Sequence, residues 1–154
     1  MGVGKSSVSK ELKTRLHNSV FLDGDWCWDA NPLQVTDETK AMVMDNITHT
    51  LNNFIACSAY QNVIFCWVMH QQSIIDELTS RLDIADCRVV TISLLATEQT
   101  LREHIEKDIA TGIRVPRDVG RSIERIPLYD SLKTVKVTVD GKSVSGIAAE
   151  ILAA

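Results

Sequence analysis

Apolar positions along this chain follow two alternating rhythms. Val8, Leu12 and Leu16 recur every four residues, which predicts a helix over residues 6–16 with Lys10, Glu11 and Lys13 on its outer side. A short apolar run at 19–22 then predicts a strand that ends in Asp23-Gly24-Asp25. After a turn at Asn31-Pro32, Thr36 is placed to cap a long helix, with Asp37 and Glu38 in its first turn and Met44, Ile47, Leu51, Phe54 and Ile55 on its apolar face. Residues 62–69, NVIFCWVM, form a continuous apolar run suited to a strand buried on both faces. A helix through Ile75 and Leu78 to Leu82 follows, then a strand at 87–95 and a helix at 98–110 that Gly112 ends. Pro116 opens a helix running towards Leu132. A strand at 135–139, a turn at Asp140-Gly141 and a helix at 145–152 close the chain.

Helices alternate with strands throughout. That order predicts a single α/β domain over residues 1–154, three layers deep, with a parallel sheet between helices and ligands at the carboxyl ends of the strands. The length of 154 residues suits one domain, and 45% hydrophobic with 23% charged residues is ordinary globular composition. A net charge of -4 argues against a nucleic-acid binder working through bulk electrostatics. No apolar run approaches a membrane span and none resembles a signal peptide, so the expected location is cytoplasmic, without a membrane partner. Cys27, Cys57, Cys66 and Cys87 show neither C-x-x-C pairing nor zinc spacing and read as reduced thiols.

The candidate chemistry begins at the first residues, MGVGKSS. Gly4-Lys5-Ser6 is the second half of the phosphate-loop signature G-x-x-x-x-G-K-[ST]. Gly2, Val3, Gly4, Lys5, Ser6 and Ser7 are therefore the expected nucleotide cradle. The glycines supply positive φ, Lys5 reaches the β- and γ-phosphates, Ser6 takes the Mg²⁺, and the helix behind presents its positive end. The first glycine of the signature and the strand that precedes it in such folds are missing. Burying a central strand contributes free energy of the same order as the net stability of a domain. The expectation is therefore that Met1 is an internal methionine of the loop and that the natural protein begins upstream. Failing that, a partner strand, for instance from a homodimer, replaces the missing one.

With the loop, the acidic strand end and an arginine-rich late helix in view, the chain resembles the small P-loop kinases. These are the nucleoside-monophosphate, shikimate and gluconate kinases and the chloramphenicol-phosphotransferase-like proteins. It looks most like the nucleotide kinase-like, AAA-type ATP-binding proteins of bacteria. The resemblance implies an ATP- and Mg²⁺-dependent phosphotransferase with a short lid around residues 112–121. In FLDGDWCWD, strand alternation places Phe21, Asp23 and Asp25 on one side. By resemblance, Asp23 orients the metal's water shell, while Asp25 binds the acceptor hydroxyl and takes its proton. Trp26 and Trp28 suit either a flat acceptor or the core. Arg117, Arg121 and Arg125 are spaced by four, with Arg114 just before them. The resemblance brings such arginines over the transferring phosphate, Arg117 and Arg121 ahead of Arg125. His70, at the end of the buried strand, is a candidate acceptor contact, in a place where related kinases carry other motifs.

Two functions follow. One is a kinase moving the γ-phosphate of Mg-ATP to a small acceptor, a nucleoside or nucleotide first and another small metabolite second. The other is a non-catalytic nucleotide-binding or interaction protein of the same fold, inactive as truncated. Adenine against guanine is not specified by VDGKSV, so ATP is what the resemblance implies.

Overall fold

The computed structural model describes residues 2–112 and 118–154. Its elements, in chain order, are α1 (Lys5–Arg15), β1 (Ser19–Asp23), α2 (Asp37–Ala56), β2 (Asn62–Cys66), α3 (Gln72–Ser80), β3 (Ile92–Leu95), α4 (Glu98–Ala110), α5 (Asp118–Glu124), β4 (Val135–Thr138) and α6 (Val144–Ala153). Two 3-10 turns, Gly24–Cys27 and Ile126–Tyr129, complete it. All strand pairing is parallel. β1 pairs with β2 so that Asp23 lies opposite Cys66, and β3 pairs with β4.

Strand alternation divides the core between two faces. On β2, Ile64 packs with Val8 and Leu12 of α1, Leu101 and Ile105 of α4, Val137 of β4, and Ile147 and Ala148 of α6. Its neighbours Val63 and Phe65 face the other way, against Val43, Met44, Ile47 and Leu51 of α2 and Leu78 of α3. Helices thus cover both sides of the strands, the three-layer arrangement expected of a P-loop fold. The Thr36 cap forms as the sequence predicts, and two further caps join it. Thr36 and Thr39 make a reciprocal capping box on α2, Thr97 caps α4, and Ser143 caps α6.

Four expectations are corrected. The strands form two parallel pairs rather than one continuous sheet, and no backbone hydrogen bond joins β2 to β3 among the described residues. β2 accordingly is half-buried along most of its length instead of enclosed on both faces. The strand expected at 87–95 begins only at Ile92, opposite Val135, because β4 is its one partner among the described residues and starts there. Val89 and Val90 are left exposed. The helix expected to reach Leu132 ends at Glu124. Pro127, lacking an N–H, sits in the 3-10 turn that follows.

Candidate nucleotide and acceptor site

The N-terminal loop has the backbone a phosphate needs. Gly2 and Gly4 take φ of +84° and +86°, values an L side chain resists. Gly4 occupies the cap position of α1, and no side chain caps that helix end. Its first amides are thus oriented for an anion, with the helix dipole behind them. The loop is packed from α4. A Cβ at Gly2 would lie 2.7 Å from Ile105 Cγ1 and 3.0 Å from Leu101 Cδ1. His104 Nδ1 lies 3.1 Å from the Gly2 carbonyl oxygen, so that ring nitrogen donates to it. Val3 adds its side chain to the same apolar cluster.

The loop meets the end of β1 through one short bond. Ser6 Oγ donates to Asp23 Oδ2 at 2.5 Å. Asp23 is buried, and its other oxygen accepts the Asp25 N–H at 3.1 Å, which starts the 3-10 turn. Two hard oxygen atoms therefore stand side by side at the loop, a pair whose chemistry suits Mg²⁺. Among the described residues no group of three or more His, Cys, Asp or Glu side chains could hold a metal ion by itself. An ion here would need water and phosphate oxygens as further ligands, as Mg²⁺ accepts.

Cys66 lies beneath the same point, with its Sγ 3.9 Å from Ser6 Oγ. Burial first, and then the Asp23 charge, push its thiol up to about 11, against hydrogen bonds from Ser9 and Ser6 and the charge of Lys5. Lys5 is thus near enough for its charge to be felt at the floor of the loop.

The expected alignment of Asp23 with Asp25 does not form. The chain leaves the strand at Gly24, and Asp25 lies exposed in the 3-10 turn. The cause is steric and comes from a neighbouring strand end. A Cβ at Gly24 would lie 2.5 Å from Trp67 Cγ, so the backbone there passes directly against the indole, and Asp23 caps the turn. Trp26 follows, 59% exposed, edge-on to Phe21 with ring centroids 5.3 Å apart. Trp28 is partly buried against the α2 cluster.

At the end of β2, His70 is half-buried, and its Nδ1 has no hydrogen-bond partner among the described residues. Burial, and then the charge of Arg125, hold His70 below its ordinary value. Arg125 also opposes the rise that burial imposes on Tyr129. The charge of Arg125, one of the four arginines singled out in the sequence, is therefore felt at a candidate site residue. Arg125 lies just past α5, so the expected shared helix face does not extend to it. Arg114 and Arg117 lie outside the described residues, as does the centre of the expected lid, and Arg121 falls on α5. Sequence reasoning gave His104 no role and ranked Arg125 low. Each acts across a long stretch of chain, and neither carries a local pattern that would reveal it.

A family model described as an AAA domain matches residues 1–121 of this sequence, which holds the loop, Asp23 and the β1–β2 pair. The chain belongs to the AAA-domain family. The fold of this AAA-domain protein is shared with solved structures of limited sequence similarity. It is similar to the tunicamycin resistance protein of Deinococcus radiodurans, with a TM-score of 0.73 and 19% identity over 99% of this chain and 88% of that one. It is also similar to a gluconokinase of Sinorhizobium meliloti, with a TM-score of 0.69 and 23% identity over 99% and 85% of the two chains. No curated protein matches it. Among the described residues no helix of this AAA-domain protein is long and apolar enough to cross a membrane.

Proposed function

We propose that this protein is a small-molecule kinase that transfers the γ-phosphoryl group of Mg-ATP to a hydroxyl-bearing acceptor. The carrying observation is the joint between loop and strand: two glycines at positive φ, an uncapped helix start, and Ser6 bonded to the buried Asp23 carboxylate. The likeness of fold to a gluconokinase supports the reading.

In this reading the backbone amides of Gly2–Ser7 and the Lys5 ammonium hold the phosphates. Ser6 and Asp23 would hold Mg²⁺, which supplies charge neutralisation at the transferring group. The acceptor approaches from the Asp25 side. Its oxygen forms a bond to the γ-phosphorus as the bond from that phosphorus to the bridging β–γ oxygen breaks and ADP leaves. The hydroxyl proton passes to the carboxylate of Asp25, which is exposed in the 3-10 turn. Arg125, with Arg117 and Arg121 from the lid segment, offsets the charge that develops on the phosphoryl oxygens. His70 touches the acceptor or its new phosphate.

A second reading is a nucleotide-binding protein without turnover. It is favoured by one observation, the departure of Asp25 from the strand that holds Asp23. Assay of the parent protein beside its Asp25→Ala variant separates the two. The kinase reading expects transfer of labelled γ-phosphate to fall by about 10²-fold or more with Mg-ATP affinity retained. No transfer by the parent protein, with Mg-ATP still bound, supports the second reading; unchanged transfer by the variant would remove the proton-accepting role from Asp25 and leave the kinase reading standing.

A further inference from the structure

Beyond Asp25 the chain from Trp26 to Gln34 and the first turns of α2 line an open cavity of about 430 Å³. That volume falls in the range of small-ligand sites. Its walls include Trp26, Trp28, Pro32 and Met42, with Asp29 and Gln34 as polar members. Trp26 and Met42 are 59% and 44% exposed, so large apolar surfaces stand open to solvent here. Among the described residues no lysine, arginine or histidine lines the cavity, and its one carboxylate is Asp29. The nearest cation along the chain, Lys40, pairs with Asp37 at 3.2 Å. Thr39 is already engaged, bonding to Thr36 and to the Gln34 carbonyl oxygen.

We infer that this cavity seats the body of the acceptor, and that the acceptor is a flat, largely apolar molecule that is neutral or cationic, not phosphorylated or carboxylated. The inference rests on the kinase reading for the acceptor's role, and on the cavity alone for its charge. A phosphate or carboxylate seated here would lie near Asp29 with no cation among the lining residues. A neutral ring stacks on the indoles, and an ammonium gains from both the indole faces and the carboxylate. A nucleoside is thereby favoured over its 5′-monophosphate.

Three probes share one hydroxylated ring and differ in charge: tyrosol is neutral, tyramine cationic and 4-hydroxyphenylacetate anionic. Binding is read from tryptophan fluorescence, and Mg-ATP binding is measured on the same protein by calorimetry. Tyrosol and tyramine are expected to bind roughly five- to tenfold more tightly than the anion, and Asp29→Lys, at an exposed position, to reverse the order. Adenosine is expected to bind more tightly than AMP in the same way. Preference for the anionic member of either set, or no fluorescence response to any probe, overturns the inference while leaving the kinase reading to the calorimetry. The expected order without any Mg-ATP binding upholds the charge preference and removes the acceptor role.

Discussion

The phosphate loop and the acceptor cavity lie on either side of Asp23, and they are built in opposite ways. The loop is held from three directions: Gly2 against Ile105 and Leu101, the Gly2 carbonyl by His104, and Ser6 by a buried carboxylate. The cavity is walled by a stretch with no regular structure from Trp28 to Thr36, whose large apolar side chains, Leu33 and Val35 among them, are mostly exposed. Phosphate recognition needs fixed amides, and a fixed frame provides them. Recognition of one acceptor among many is the variable part, and it falls on a loop. The difference teaches where to look for each property: nucleotide binding in the frame, specificity in the wall.

The largest expected effect lies where the two regions join. Gly24→Ala drives a methyl group into Trp67 and should destabilise the fold by about 1–3 kcal/mol, read as a lowered midpoint in urea. Gly120→Ala is the control. Nothing lies within 4 Å of the added Cβ, so stability should hold or rise by up to about 1 kcal/mol. Equal effects at the two glycines would mean that the Gly24–Trp67 contact does not fix the joint.

The rigidity of the frame is open to a chemical probe. With its thiol near 11 rather than 9.0, Cys66 carries roughly a hundredfold less thiolate than an ordinary cysteine. Iodoacetamide should label exposed Cys57 and Cys87 well before Cys66. Labelling of Cys66 at the rate of Cys57 would show that the floor beneath the loop opens readily.

A smaller effect concerns His70. Its folded-state value lies below the ordinary 6.5, so the unfolded chain takes up a proton that the folded chain resists. Stability should therefore decline as pH falls through 6.5 and level off below the folded value. His70→Gln should remove that part of the slope, and Arg125→Gln should lessen it by moving the histidine's titration upward, followed by NMR. A slope identical in all three proteins would separate His70 from Arg125.

How much of this was legible in the sequence depended on the distance over which each feature is decided. α4 begins and ends where expected, because Thr97 caps it and Gly112, at φ +74°, stops it within a few residues. The capping of α2 by Thr36 is equally local. The phosphate loop was legible because its requirements, glycine at two positions followed by lysine and serine, are written consecutively. Failures came where a neighbour decides. β3 is short because its partner β4 starts late, and β2 is half-buried because β1 is its one partner among the described residues. The Asp23–Asp25 alternation failed because Trp67, from the next strand end, fixes the backbone at Gly24. The charge of Arg125 is felt at His70, and His104 reaches Gly2, across separations along the chain that no periodicity encodes.

The central claim is that the joined loop and strand end form a nucleotide site. Calorimetry with Mg-ATP on the protein and on its Lys5→Ala variant tests it most directly. The account predicts saturable binding by the parent protein and a loss of between ten- and a hundredfold in affinity in the variant, with the fold intact by circular dichroism. Binding that is indifferent to Lys5, or no binding by the folded parent protein, would contradict it.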